Sequence, residues 1–325
     1  MVPALLRLVA SLALALGLAS SAQAQTWPAR PVHILTAFTP GGLADVIARL
    51  LAPRYEALLG KSFIVENRAG AGGIMGTDYV AKASPDGYTL LVTTTAVHGT
   101  GPNLYPSLPY DPVADFTHIS LLARAPLFLF VNADDPYPTL AAFIDAAKAK
   151  PGSVNFGSPG PGSLGHLTGE LISLQTGIRM THIPYKGALP AQNDLLSHQL
   201  QAMVDNLPGQ AGMVKAGRLR ALAITTEQRL DLLPDVPTFR ESGYPTLLAS
   251  AWVGLCAPAG LPSEIVARLH ATTRAILEQP DLRARLVDVG LAADGSLTPD
   301  EDTAFVRREI ARWGEVVRAA GVKLE

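Results

Sequence analysis

Residues 32–45 read Val32-His33-Ile34-Leu35-Thr36-Ala37-Phe38-Thr39-Pro40-Gly41-Gly42-Leu43-Ala44-Asp45, and this stretch sets the pattern for the rest of the chain. Residues 32–38 form a short apolar run with the character of a buried strand. Residues 45–59 place Val46, Ile47, Leu50, Leu51 and Leu58 at helical spacing and stop at Gly60. Between strand and helix, Gly41 and Gly42 let the backbone approach a ligand closely. The first turn of the helix offers N–H groups without intrahelical partners and a partial positive charge, which together favour a carboxylate or phosphate. Asp45 has two readings: a carboxylate that caps the helix or meets its dipole, or one that orients the loop or accepts a ligand donor.

The same strand–loop–helix grammar recurs outward from this point. Residues 62–66 read as a strand, the Gly-rich turn 68–76 leads into a helix over 77–83, and Ser84-Pro85-Asp86-Gly87 turns the chain into a strand over 88–93. That alternation predicts a parallel α/β sheet with helices on its faces. Residues 116–131 hold two apolar runs around Ala123-Arg124-Ala125, and helix 139–150 ends at Pro151-Gly152. Strands over 154–157, 179–183, 202–205, 221–225 and 250–257 alternate with helices over 164–176 and 188–197, and helices 263–277, 280–289 and 299–319 close the chain. Long strands near 116–131 and 247–257 are placed to cross between two lobes. The expected division is residues 25–124 plus 250–325 for one lobe and 125–249 for the other.

Of the 325 residues, the first 24 do not belong to this pattern. Arg7 is followed by an apolar run over 8–18 and by Ala22-Gln23-Ala24, the layout of a cleavable signal peptide. The run is about half of the ~20 residues that a bilayer span requires. No later segment is apolar for long enough to cross a membrane. With 26 basic and 28 acidic residues scattered along the chain, a nucleic-acid partner is not expected. The single cysteine, Cys256, excludes an intramolecular disulfide and a Cys-rich metal site, and it lies far from the place of a lipid anchor. A content of 48% hydrophobic residues excludes a disordered chain. The expectation is an exported, periplasmic, globular protein.

A second loop carries possible chemistry: Phe156-Gly157-Ser158-Pro159-Gly160-Pro161-Gly162-Ser163-Leu164-Gly165-His166. Gly160, Gly162 and Gly165 match the dinucleotide fingerprint G-x-G-x-x-G, yet the next strand ends His182-Ile183-Pro184-Tyr185-Lys186, without the carboxylate that would hold a ribose. The nucleophile elbow G-x-S-x-G is also incomplete, because Pro161 stands where its first glycine belongs. His166, one turn after Ser163, keeps a serine hydrolase as an alternative. The seven histidines are dispersed without H-E-x-x-H spacing, so neither metal nor cofactor is expected. The loop 67–73 reads either as a tight turn or as a ligand contact, and Thr93-Thr94-Thr95 either as edge-strand threonines or as hydroxyl donors. Pro184–Gly187 and Val204–Asn206 also lie just past strands. In open α/β sheets ligands bind beyond the carboxyl ends of strands, and several such loops together point to a cleft.

Seven motifs in register support a more specific reading. They are Phe38-x-Pro40-Gly41-Gly42-x-x-Asp45, Val65-Glu66-Asn67-Arg68-x-Gly70-x-Gly72-Gly73 and Ser84-Pro85-Asp86-Gly87-Tyr88-Thr89-Leu90. Gly157-Ser158-x-Gly160-x-Gly162-Ser163-x-x-His166-Leu167, Pro184-Tyr185-Lys186-Gly187, Asp235-Val236-Pro237-Thr238-Phe239-x-Glu241-x-Gly243 and Trp252-x-Gly254 complete them. From Trp27 to its end the chain resembles the substrate-binding proteins of tripartite tricarboxylate transporters, the Bug receptors. The resemblance implies a type II-like Venus-flytrap fold, two α/β lobes joined by two crossing strands. It implies capture, without catalysis, of a small organic acid: a di- or tricarboxylate, an acidic amino acid or an aromatic acid. It also implies a monomer that docks on membrane permease subunits or on a sensor protein. Carried over residue by residue, the ligand contacts would be Phe38, Thr39, Gly41, Gly42 and Asp45 in lobe one, and Ser158, Gly160, Gly162, Ser163 and His166 in lobe two. Thr94, Thr95, Lys186 or Asp205 would meet the distal end. Leu43 departs from the family pattern, which commonly has a small or polar residue there, and either reshapes the pocket or favours a less polar ligand; Thr39 adds a hydroxyl beside the anion loop.

Overall fold

In the computed structural model, residues 27–324 are described apart from positions 186, 208 and 289, so the expected signal peptide and Lys186 lie outside the described residues. The chain opens with β1 (Val32–Thr36), α1 (Leu43–Leu59), β2 (Phe63–Asn67), α2 (Ile74–Ala81) and β3 (Thr89–Thr94). A π-helical turn over Thr95–Thr100 and the short α3 (Gly101–Leu104) lead to β4 (Phe116–Asn132). Then come α4 (Leu140–Ala149), β5 (Val154–Ser158), α5 (Leu164–Thr176), β6 (Met180–Pro184) and α6 (Ala188–Leu196). These are followed by β7 (Ala202–Asn206), α7 (Ala211–Lys215) and β8 (Leu219–Ile224). The chain returns through β9 (Ser250–Pro258), α8 (Ser263–Leu277), α9 (Pro280–Asp288), β10 (Ala292–Ala293) and α10 (Pro299–Ala320).

The strand order β2-β1-β3-β9-β4-β7-β5-β6 divides into two sheets that share β4. β1 pairs in parallel with β2 and β3, as strand–helix–strand connections require. β9 then pairs antiparallel with both β3 and β4, so the first sheet is mixed. β4 is one continuous strand of 17 residues. Its residues 116–126 pair with β9, and residues 127–132 pair with β7 and β8 in the second sheet. Arg124 does not break it, because its guanidinium leaves the sheet to meet Asp294 (2.7 Å) and the face of Phe305. β9 lies wholly in the first sheet. The return crossing is therefore made just before it, where Ala249 N–H donates to Thr225 O (3.1 Å).

Each sheet has its own core. Val32, Ile34, Ile47, Leu51, Leu90 and Leu255 fill the first lobe, and Phe143, Phe156, Ile172, Val204 and Phe239 fill the second. The helix α10 belongs to both. It starts with a capping box between Thr298 and Glu301. Its Phe305 and Val306 pack on Leu121 and Trp252, while its Trp313, Val316 and Val317 enter the core of the second lobe. α2 begins three residues earlier than the sequence spacing predicts, because Gly72 and Gly73 adopt positive φ and turn the chain into a helix there.

Candidate functional site

α1 and α5 both start at a cavity of about 340 Å³ between the lobes. From the first lobe, Phe38, Thr39, Gly42, Leu43 and Ala44 line one side. The end of β3 and the π-turn add Thr94, Thr95, Ala96 and Thr100, and β9 adds Ala251 and Trp252. From the second lobe, Gly162, Ser163 and Leu164 form the opposite side. Among the described residues no ionisable side chain lines this cavity. Its polarity comes from hydroxyls and from the first-turn N–H groups of two helices, which lack intrahelical acceptors.

The loop before α1 is held from behind. Asp45 is only 3% exposed, and its carboxylate accepts from Gly41 N–H (2.9 Å), Arg49 Nε (3.0 Å) and Asn67 Nδ2 (2.9 Å). Burial alone would raise this carboxyl, but Arg49, Gly41 and Asn67 outweigh it and hold it below the usual value. Asn67 Nδ2 also reaches Thr36 Oγ1 (2.7 Å) and Phe38 O (3.1 Å). Asp45, Gly41 and Asn67 therefore position the loop and do not line the cavity. Gly73 makes room for Phe38: a Cβ there would lie 2.9 Å from its Cζ.

Lobe two follows the same plan with different chemistry. Ser163 caps α5, its Oγ accepting from His166 N–H (3.2 Å) and donating to Ser158 Oγ (3.2 Å). Ser158 is fully buried at the end of β5, with its Oγ 2.7 Å from His182 Nε2 and within reach of Gly160 (3.1 Å to its O). His166 Nδ1 accepts from Gly162 N–H (3.1 Å), which assigns its proton to Nε2. Its ring stacks on His182 at 3.7 Å between centroids. Burial lowers both rings to about 4, and His166 adds to the effect on His182. Ser158, Gly160 and His166 thus brace the loop that presents Gly162 and Ser163. The hydrolase alternative lacks its geometry, because the His166 ring nitrogen facing the loop is taken by Gly162 N–H and the Ser163 hydroxyl is aimed at Ser158.

Of the residues expected to touch ligand, Phe38, Thr39, Gly42, Thr94, Thr95, Gly162 and Ser163 share the cavity. Asp205 does not line it; its carboxylate accepts from Gln210 Nε2 (3.1 Å) and is pushed up to about 6 by burial. Thr95 is partly committed, since its hydroxyl accepts from Trp252 N–H (2.7 Å). The Thr94 hydroxyl is buried with no partner. Sequence reasoning missed Ala44, Ala96, Thr100, Leu164, Ala251 and Trp252 as wall residues. Trp252 stood in a quoted motif and was the one legible signal; its indole N–H donates to Glu309 (3.2 Å). A wider depression of about 810 Å³ opens on the outer face of lobe two, between α4 and β8, but neither α1 nor α5 begins there.

Comparison with known proteins places this cleft in context. Protein BugT of Bordetella pertussis is 41% identical over 314 residues, covering 95% of each chain. The R. palustris Rpa4515 structure with adipate is 37% identical with a TM-score of 0.78, over 91% of this chain and 99% of that one. MatC from Rhodopseudomonas palustris with bound malate is 34% identical with a TM-score of 0.74, over 90% and 100%. The profile of the tripartite tricarboxylate transporter family receptor matches residues 47–322. With its two lobes, shared strand and paired helix N-termini, the chain belongs to the tripartite tricarboxylate transporter receptor family.

Proposed function

We propose that this chain is an exported solute receptor that captures a small organic carboxylate between its lobes and delivers it to the permease of a tripartite tricarboxylate transporter. The observation that carries the reading is the convergence of the α1 and α5 N-termini on one cavity. Two helix ends, with the hydroxyls of Thr39 and Thr94, offset the desolvation of a carboxylate. The adipate and malate named for two relatives supply the ligand class. Phe38, Thr39, Gly42, Thr94 and Ser163 are the contacts, and contact with both lobes favours the closed form.

Export begins with cleavage after Ala24, which N-terminal sequencing of the secreted protein tests. A thermal-shift screen of small carboxylates tests the receptor reading, because a ligand that binds only the folded state raises Tm by mass action. A shift with a sugar or a cation, and none with any carboxylate, refutes it. Loss of carboxylate uptake on deletion of the receptor, restored by the purified protein in a reconstituted permease assay, tests delivery.

A further inference from the structure

We infer that Leu324 is a positioning residue for the ligand: with Leu104 it presses on Gly162 and holds the loop before α5 at the cavity. This rests on the carboxylate-receptor reading above. α10 ends at Gly321, whose positive φ (68°) turns the chain back along the helix, and Val322 N–H then donates to Val317 O (3.1 Å). Two residues on, Leu324 N–H donates to Leu104 O (3.0 Å), which joins residue 324 to the end of α3. α3 is itself fixed to α10. Asn103 Nδ2 donates to Ile310 O (2.8 Å), and Gly314 leaves the space that the Asn103 side chain occupies. Val322 and Leu324 are half-buried and pack on the core that contains Leu104, Leu167 and Val317.

This assembly meets the loop before α5 at one residue. Gly162 has a φ of 68°, and a Cβ on it would lie 2.8 Å from Leu324 Cδ1 and 3.1 Å from Leu104 Cδ1. Both leucines therefore rest against the backbone of a residue that lines the cavity, whereas Leu324 itself does not line it. Gly162 N–H is held in addition by His166 Nδ1 (3.1 Å). One hydrogen bond leaves the loop free to rock about it, and the two leucines fill the space into which the backbone would swing. A shift at Gly162 passes directly to Ser163, which caps α5 and forms part of the cavity wall. Small displacements of such groups cost affinity out of proportion to their size. Alanine at position 324 would reach no further than its Cβ and leave Gly162 backed by Leu104 alone.

The test combines calorimetry with adipate and malate at pH 7, thermal melting, and amide exchange of the full protein without ligand. Leu324→Ala should weaken binding of the acids about tenfold. It should lower Tm by only about 2–4 °C, since the side chain is half-buried. Exchange of the Gly162 amide should quicken at least tenfold while the amides of β1 to β3 keep their rates. Leu324→Met, which refills the space, should restore all three. Wild-type exchange at Gly162 in the alanine variant overturns the inference, and so does faster exchange without loss of affinity. Quickened exchange throughout the second lobe with a matching fall in Tm assigns Leu324 to the core alone and also overturns it. Absence of binding of both acids by the wild type counts against the receptor reading; the Gly162 amide then still decides whether Leu324 supports the loop.

Discussion

Asp45 is the residue whose replacement should separate loop support from ligand contact. Its carboxylate lies behind the loop and receives Gly41 N–H, Asn67 Nδ2 and Arg49 Nε. Asp45→Ala leaves Gly41 N–H without its acceptor, at about 1–3 kcal/mol for a buried donor, while Asn67 Nδ2 keeps Thr36 Oγ1 and Phe38 O. Arg49 contributes little of this, because its side chain is 54% exposed and rehydrates. Water also reaches the exposed Gly41, so a net loss of about 1–2 kcal/mol is expected, with Tm lower by about 2–5 °C. Without its strap the segment 39–42 no longer fixes Thr39 and the start of α1 at the cavity, and carboxylate affinity should fall at least tenfold.

Asp45→Asn retains one acceptor oxygen but sets an amide against the donor of Asn67, and should fall between wild type and Ala. The pH dependence follows from the same contacts. The folded carboxyl sits below its ordinary value of 3.8, so its contribution is complete above that pH and drains away as the pH falls through the folded value. The stability gap between wild type and Asp45→Asn should therefore be constant from pH 5 upward and close in stronger acid. Urea unfolding across pH measures the gap, and calorimetry measures binding. An Asp45→Ala protein with wild-type Tm and wild-type affinity would show that the loop holds itself and would refute the reasoning.

Three further outcomes are expected. His166 and His182 are neutral rings lowered to about 4, while the unfolded chain protonates near 6.5; stability should therefore decline as pH drops from 6.5 toward 4, and His166→Gln with His182→Gln should flatten that decline in thermal melts. Trp252 lines the cavity and Trp313 does not, so ligand should change the intrinsic tryptophan emission and Trp252→Phe should abolish most of the change; a full response in the variant contradicts this placement. Gly165→Ala would put a Cβ 2.3 Å from Val204 O, a main-chain atom that cannot swing aside, so a loss of about 3 kcal/mol or more is expected by chemical denaturation.

The fold was legible because its signals are local. Val32–Thr36 followed by paired glycines and a 3.6-residue apolar period leaves little choice but strand, loop and helix, and β1 to β3 came out parallel as that spacing requires. The mixed character of the first sheet was not legible, because the antiparallel β9 joins it from more than a hundred residues away and carries no local mark of its partners. The π-turn over Thr95–Thr100 was missed for a related reason: its buried residues are specified by packing, not by periodicity. At the site, glycines and helix starts identified the loops, but not which side chains face the cavity. Asp45, Ser158 and His166 share the motifs of Gly42 and Ser163, yet they point the other way and grip the backbone. A motif records that a residue is needed; only geometry separates support from contact.

That separation explains how an anion receptor can have a cleft with no ionisable side chain among its described lining residues. Among the described residues, Asp45, His166, His182 and Glu309 stand behind its walls. Asp45 holds the loop before α1, the His166–His182 stack braces the loop before α5, and Glu309 accepts both the Trp252 and Trp313 indoles (3.2 and 3.1 Å). The last of these ties the cavity wall to α10, whose two halves pack on different lobes. Each charge is satisfied within the protein, so it stiffens the wall without adding a fixed counter-ion to the ligand. A helix terminus attracts a carboxylate by about half a unit charge and falls off within a turn. When the lobes part, a ligand held from both sides by such dipoles loses half of its donors at once, whereas a salt bridge to one lobe would keep its full strength. Binding by dipoles divided between lobes makes affinity depend on closure, which is what a receptor that must surrender its cargo requires.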